Sequence, residues 1–236
     1  MHLNVSRRFV GAITAAALLA TSASLVAAPV ASAAPSSTTG LYGSADPTYD
    51  GVYRQSLGLM GLASAGVRPA PAAVTWLLDQ QCANGSFQAY RADLTKPCDP
   101  VDAKNFTGPD TNSTAMAVMG LMSLLSLPEG KTLSSTLRNK VTAAAISSVG
   151  WLFKQQNSDG GWPWTTGGAS DANSTGLTLS ALLTQAPNEK FPAYIKASRF
   201  LGRLSFACQA GGGFAFQPGG AVNASATAQG LVVLAG

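Results

Sequence analysis

Two kinds of apolar segment alternate along the chain after residue 50. Residues 115–127 are apolar on every face, which is typical of a buried helix. Residues 133–156 place Leu133, Leu137 and Val141 on one face and polar side chains on the other, which is typical of an amphipathic helix. The apolar runs are rich in Ala, Leu and Met rather than in β-branched residues, so they favour helices over strands. The alternation predicts two concentric layers, with the apolar helices inside and the amphipathic helices outside.

A turn rich in glycine follows each amphipathic segment and carries an aromatic residue at a fixed distance. The matched pairs, six positions apart, are Gln81 and Phe87, Gln156 and Trp162, and Cys208 and Phe214. The matched leucines of the apolar segments are Leu62, Leu121, Leu182 and Leu234, which lie 59, 61 and 52 residues apart. A period of this length is typical of a helical repeat. The repeat predicts an all-α fold, an α/α toroid of helix pairs with four inner and three outer helices.

The segment from Gln155 to Trp162, with Gly160 and Gly161 before the tryptophan, resembles the Gln-Trp repeat of the terpenoid cyclase and protein prenyltransferase superfamily. The same prenyltransferase and squalene-oxidase type of repeat occurs in cobalamin carriers and in secreted bacterial proteins, which this chain resembles most in style. The resemblance covers most of residues 50–236. It implies a complete barrel of six helix pairs, so with about four pairs we expect an incomplete toroid, truncated at its C-terminus. One toroid hosts unrelated activities, so the resemblance implies little about function.

The first 33 residues predict a secretory signal peptide. Arg7 and Arg8 precede an apolar stretch over residues 10–25, and Ala31-Ser32-Ala33 is a small-residue cleavage site. We therefore expect a secreted or cell-surface protein with no membrane span after the signal is removed.

The remaining chain divides into a linker and a repeat domain. Residues 34–49 are expected to be a disordered linker, and residues 50–236 to form the toroid. Loss of Arg7 and Arg8 lowers the net charge from +4 to +2, and the only histidine, His2, leaves with the signal. The few scattered basic residues that remain exclude a nucleic-acid-binding surface.

Three cysteines in an oxidising compartment favour a disulfide. Cys82 and Cys98 flank a polar loop, and a bridge between them closes about 15 residues and stabilises the fold by about 3 kcal/mol. Cys82 and Cys208 occupy similar places in repeats that are not neighbours, so we expect them to lie too far apart to bridge. Cys208 is then either free or paired outside this chain.

The polar residues do not complete a known catalytic set. Prenyltransferases bind zinc with Asp, Cys and His, and the resemblance places Asp110 or Asp171 at the Asp, but Asn112 or Asn173 at the Cys. The acidic residues form no D-x-D-D segment for cyclase chemistry, and neither a thioester motif nor a histidine for a catalytic triad is present in the exported chain. We therefore assign no catalytic residue, metal or cofactor.

The candidate binding site lies where the inner helices begin. Asp110, Asp171 and Asn223 precede inner helices, where side-chain oxygens satisfy free N–H groups, and capping alone explains them. Because all inner helices run the same way, these caps also ring one mouth of the barrel, where helix N-termini favour a polar or anionic ligand group. A glycosidase needs two carboxylates there, and only Asp110 and Asp171 occupy equivalent places.

Aromatic residues of the turns lie at the same mouth. Phe87, Trp162 and Phe214 match the repeat and are expected to brace neighbouring helices. Three further aromatics do not match it and are free to contact a ligand. The candidate ligand-binding residues are Tyr90, Asp110, Asn112, Trp164, Asp171, Asn173, Phe216 and Asn223.

Two hypotheses for the function follow. The first is an exported, non-catalytic toroid that binds a small molecule or a glycan at the barrel mouth or acts as a surface scaffold, with a partner chain completing the barrel. The alternative is the N-terminal part of a terpene- or squalene-cyclase-like enzyme whose catalytic acid lies beyond Gly236.

Overall fold

The computed structural model describes residues 34–184 and 192–231. The predicted signal peptide and Leu234 lie outside the described residues. Within these ranges the helices are α1 (Gly51–Ser64), α2 (Pro71–Asp79), α3 (Thr111–Leu125), α4 (Ser135–Lys154), α5 (Ala172–Leu183), α6 (Pro192–Leu204) and α7 (Ala224–Leu231). Four two-residue strands, too short to show a strand period in the sequence, are β1 (Phe87–Gln88), β2 (Pro109–Asp110), β3 (Trp162–Pro163) and β4 (Ser170–Asp171).

The helices form the two layers that the sequence predicts. Helices α1, α3, α5 and α7 pack against one another in chain order, and each of α2, α4 and α6 packs on the inner helix before it. Inner helix α3 is buried along almost its whole length, whereas α6 buries one stripe that includes Tyr194, Phe200 and Leu204. The fold is therefore all-α, an α/α toroid with four inner and three outer helices among the described residues, and the prediction is confirmed.

The turn aromatics are tied to the inner helix that follows them. Strands β1 and β2 pair antiparallel, so that Phe87 lies opposite Asp110, and β3 and β4 pair Trp162 with Asp171 in the same register. The backbone N–H of each aromatic also donates to a threonine of the following inner helix at 2.9 Å: Phe87 to Thr114, Trp162 to Thr175 and Phe214 to Thr227. Each repeat thus holds its turn at the start of an inner helix.

The repeated glutamines join neighbouring outer helices. Nε2 of Gln81 donates to the carbonyl of Ala144 in α4 at 2.9 Å, and Nε2 of Gln156 donates to the carbonyl of Ala193 in α6 at 2.8 Å. At the third matching position stands Cys208, which is free and exposed.

The segment before α1 corrects the expectation of a disordered linker over residues 34–49. Leu41 and Tyr42 are buried, and the buried side chain of Gln55 accepts from the Tyr42 N–H at 2.8 Å and donates to the carbonyls of Gly40 and Ala73. A buried amide needs hydrogen-bond partners, and α1 finds them in residues 40–42, which therefore pack against the first helix pair.

The cysteine prediction is confirmed. Cys82 and Cys98 form a disulfide with their Cα atoms 5.7 Å apart. A disulfide is compatible with an extracellular protein, since such bonds persist in oxidising compartments. None of the helices within residues 34–184 and 192–231 is long and apolar enough to span a bilayer.

Candidate functional site

A cavity of about 220 Å³, which we call the mouth cavity, opens where α1 and α3 begin. Its walls come from the segment before α1, the first turns of α1 and α3, the loop before α3 and the loop after β3. The lining residues that matter chemically are Tyr49, Asp50, Tyr53, Phe106, Asp110, Asn112 and Trp164. The cavity therefore combines four aromatic rings with two carboxyl groups.

Three of the four aromatic rings contact one another in series. The ring centroids of Phe106 and Trp164 lie 5.3 Å apart, and the ring of Tyr49 meets Phe106 edge to face at 6.5 Å. Phe106 is 60% exposed and has a φ of +58°, a conformation that bulky residues rarely adopt. Backbone strain of this kind is concentrated at functional sites, where the surrounding structure holds a side chain in place.

Asp110 combines two roles at the start of α3. Its Oδ1 accepts from the Ser113 N–H at 2.7 Å, so it caps the helix as predicted. The residue is only 5% exposed, and this burial raises the pKa of its carboxyl to about 6, although hydrogen bonds from Ser113, the Asn112 backbone and the Trp164 side chain oppose the increase. A carboxyl group with this pKa can hold or release a proton near neutral pH, as a general acid must.

Asp50 supplies the second carboxyl group of the mouth cavity. It precedes α1 but makes no capping hydrogen bond with its side chain. Its Oδ1 lies 3.4 Å from the Arg54 guanidinium, and the side chain is 54% exposed. The expected carboxylate pair of Asp110 and Asp171 is not found in this cavity, because Asp171 is not among its lining residues.

Asn112 on α3 and Tyr53 on α1 both line the cavity. They are 59 residues apart, which is also the spacing of the matched leucines Leu62 and Leu121, so they occupy equivalent places in the repeat. Oδ1 of Asn112 is buried and has no hydrogen-bond partner. A buried acceptor without a donor is unusual in proteins, and either a ligand hydroxyl or an ordered water molecule can supply the missing donor.

Trp164 and Phe216 have matching backbone roles. The Trp164 carbonyl accepts from the N–H of Thr111 at 2.8 Å, and the Phe216 carbonyl accepts from the N–H of Ala172 at 2.9 Å. In the first repeat the Ala89 carbonyl accepts from the N–H of Val52 at 2.9 Å. The residue two positions after the turn aromatic therefore uses its backbone carbonyl to accept an N–H at the start of the preceding inner helix. Because only the backbone takes part, the side chain at this position is free to vary.

The other sequence candidates lie outside the mouth cavity. Tyr90 stacks on Trp76 with ring centroids 6.4 Å apart and lines a separate cavity of about 460 Å³. Asp171 caps α5 by accepting from the Ser174 N–H, and Asn223 caps α7 by accepting from the Ala226 N–H. The remaining candidates are Asn173, whose Oδ1 is also buried and unpartnered, and Phe216.

The structure thus brings together Asp110, Asn112 and Trp164, and adds four residues that sequence reasoning missed: Tyr49, Asp50, Tyr53 and Phe106. Only Tyr53 carried a usable signal, because the leucine alignment places it opposite Asn112. Phe106 lies in a loop outside the repeat, so no periodicity marks it.

No protein-family model matches the sequence, and no curated protein matches it. The solved structures that share its fold include the following two. One is a polysaccharide lyase, with a TM-score of 0.54, 14% identity, and coverage of 80% of this chain and 62% of that one. The other is a glycosyl hydrolase family 88 protein from Bacteroides vulgatus, with a TM-score of 0.53, 16% identity, and coverage of 82% of this chain and 63% of that one. At these identities the likeness shows the fold, and the chain spans less than two thirds of either structure.

This comparison contradicts the predicted non-catalytic binding protein or scaffold. Two of the toroids that match are named as a polysaccharide lyase and a glycosyl hydrolase, and both of these are enzymes. The resemblance to the terpenoid cyclase and prenyltransferase superfamily is supported only at the coarser level of a shared α/α toroid.

Proposed function

We propose that this chain is part of an enzyme that cleaves glycosidic bonds, with the mouth cavity as its active site and Asp110 as the proton donor. The observation that carries the proposal is the buried carboxyl of Asp110, whose pKa is raised to about 6, in the wall of an aromatic-lined cavity. Glycosidases require an acid with a raised pKa beside the leaving oxygen. The toroid enzymes named above support the same class of substrate.

In the proposed reaction, Asp110 gives its proton to the glycosidic oxygen as the bond to the anomeric carbon breaks. Asp50 takes a proton from the water that adds to this carbon, so the products are two sugar chains and no net charge is created. Its side chain is 54% exposed, so water can reach its carboxylate. The rings of Phe106 and Trp164 offer apolar surfaces on which the C–H face of a sugar ring can stack.

The test compares two aspartates that cap inner helices in the same way. Asp110→Asn keeps the cap but removes the proton donor, and Asp171→Asn makes the same change outside the cavity. Release of reducing ends from a panel of polysaccharides is measured for both variants and for the unaltered chain. We expect Asp110→Asn to lower kcat by about a hundredfold to ten-thousandfold and Asp171→Asn to leave it unchanged.

Far-ultraviolet circular dichroism serves as the control that both variants fold. A folded Asp110→Asn variant with full activity would refute the assignment of the proton donor. Failure of every polysaccharide in the panel would refute the proposed function itself.

We further propose that the chain is exported with residues 1–33 as its signal peptide, and that residues 50–236 form the toroid domain. The disulfide between Cys82 and Cys98 supports export. Sequencing the N-terminus of the secreted protein tests the cleavage after Ala33.

We also propose that the glycine-rich turns are Gln-Trp repeats, in which the glutamine stabilises the fold by joining neighbouring outer helices. The matching hydrogen bonds of Gln81 and Gln156 to the next outer helix support this assignment. Replacing either glutamine by alanine is expected to lower the thermal unfolding temperature.

A further inference from the structure

Resting on the proposed function, we infer that the mouth cavity accepts a sugar without a carboxylate group, and that Asp50 excludes uronic acids. The inference concerns the class of glycan, which the proposed reaction alone leaves open.

The charges of the residues that line the cavity disfavour a uronate. Among the described residues that line it are two acids, Asp50 and Asp110, and no Lys, Arg or His. Arg54 approaches Asp50 from outside the lining, where its Nη2 also donates to the carbonyl of Ala45 at 3.2 Å. A uronate carboxylate bound in this cavity would therefore face the Asp50 carboxylate without a cation in the wall, and like charges at short distance repel.

The N-terminus of α3 does not offer an alternative site for an anion. The Thr111 N–H is taken by the Trp164 carbonyl, and the Ser113 N–H is taken by Asp110. At the start of α1, the Val52 N–H is taken by a backbone carbonyl as well. Asp110 already occupies the place that an anionic ligand would use at α3.

The hydrogen-bonding needs of Asn112 point the same way. Its buried Oδ1 lacks a donor, as does the Oδ1 of Asn173 at the equivalent place in the next repeat, outside the cavity. A sugar hydroxyl can donate to this oxygen, whereas an ionised carboxylate has only acceptors. A uronate placed against Asn112 would leave the oxygen unsatisfied.

These observations also separate two ways of cleaving a glycan. Elimination removes a proton beside the uronate carboxylate and needs that carboxylate to be neutralised as charge develops. The described lining residues supply no cation for this, whereas they do supply two carboxyl groups, those of Asp110 and Asp50, and hydrolysis uses a pair of carboxyl groups.

The test measures binding in the Asp110→Asn variant, so that cleavage does not interfere. Glucan, mannan and galactan oligosaccharides are each paired with their C6-oxidised form, and dissociation constants are determined by calorimetry at low and high salt. We expect the neutral member of the best-bound pair to bind at least about fivefold more tightly at low salt. High salt should reduce the difference between the two dissociation constants, because salt screens the repulsion between the carboxylates.

Adding Asp50→Asn to the same background should bring the two dissociation constants together. Adding Asp46→Asn is the matched control, because Asp46 lies on the same segment, is exposed and does not line the cavity. Tighter binding of the oxidised member, or a preference that Asp50→Asn leaves unchanged, would overturn the inference.

The result also separates this inference from the proposed function. If oxidised glycans are the better substrates and their cleavage still requires Asp110, the proposed function stands and the inference fails. If no member of any pair is bound or cleaved, both fail.

Discussion

The burial of Asp110 predicts an unusual pH dependence of stability. Most carboxylates in folded proteins are stabilised in their charged form, so that stability falls in acid. Asp110 should behave in the opposite way, because desolvation raises the pKa of its carboxyl to about 6 from an ordinary value of 3.8. Asp110→Asn removes the titrating group and retains a side chain that caps a helix well.

The sign and the size follow from proton linkage. Between pH 3.8 and about 6 the folded chain holds a proton that the unfolded chain has released. The free energy of unfolding contributed by Asp110 is therefore highest below pH 4, falls as the pH rises to about 6 and is level above it. The difference between the two pKa values corresponds to about 3 kcal/mol.

Urea unfolding at a series of pH values from about 4 to 7 measures this effect as the difference between Asp110→Asn and the unaltered chain. We expect the variant to gain about 3 kcal/mol relative to the unaltered chain across this range. Subtraction removes the contributions of other groups, including Asp171, whose pKa burial also raises, and Asp46, whose pKa the hydrogen bonds of Thr48 lower. A difference independent of pH would show that Asp110 is not protonated in the folded chain, and would remove the basis for its role as an acid.

Two further predictions concern the repeat and the disulfide. Thr175→Val leaves the buried N–H of Trp162 unpaired and should lower the free energy of unfolding by about 1–3 kcal/mol in urea titrations. Thr178→Val removes a buried hydroxyl that has no partner, so it should be neutral or stabilising, and an equal loss in both variants would contradict the hydrogen-bond argument. Replacing Cys82 and Cys98 by alanine should lower the free energy of unfolding by about 3 kcal/mol, because the unfolded loop is no longer closed. Adding a reductant to the unaltered chain should reproduce that loss, and insensitivity to reductant would contradict it.

Much of the fold was predictable because its signals are local. The apolar and amphipathic helices follow from residue order alone, and the spacing between Gln156 and Trp162 marks the turn that joins them. Asp110 was recognised as a cap for the same reason, since a cap acts within one helical turn. Cys82 and Cys98 were paired because they flank one short loop.

Segments without a repeat were predicted less well. Residues 40–42 lack periodicity, yet they pack against α1 because the buried Gln55 requires hydrogen-bond partners. The functional class was also predicted wrongly, since the absence of a familiar motif favoured a scaffold whereas two matching toroids are named as enzymes.

By itself the sequence determined the helix layers, the repeat and the disulfide, because each depends on residues close together in the chain. Only the tertiary structure decided the composition of the mouth cavity, since Asp50, Phe106 and Trp164 are far apart in sequence and meet where α1 packs on α3. The tertiary structure also decided the chemistry of Asp110. In a cap exposed to water, hydrogen bonds from helix N–H groups lower the pKa of the carboxyl. Burial among neighbouring helices and loops raises the pKa of Asp110 instead, and this makes its carboxyl a candidate proton donor.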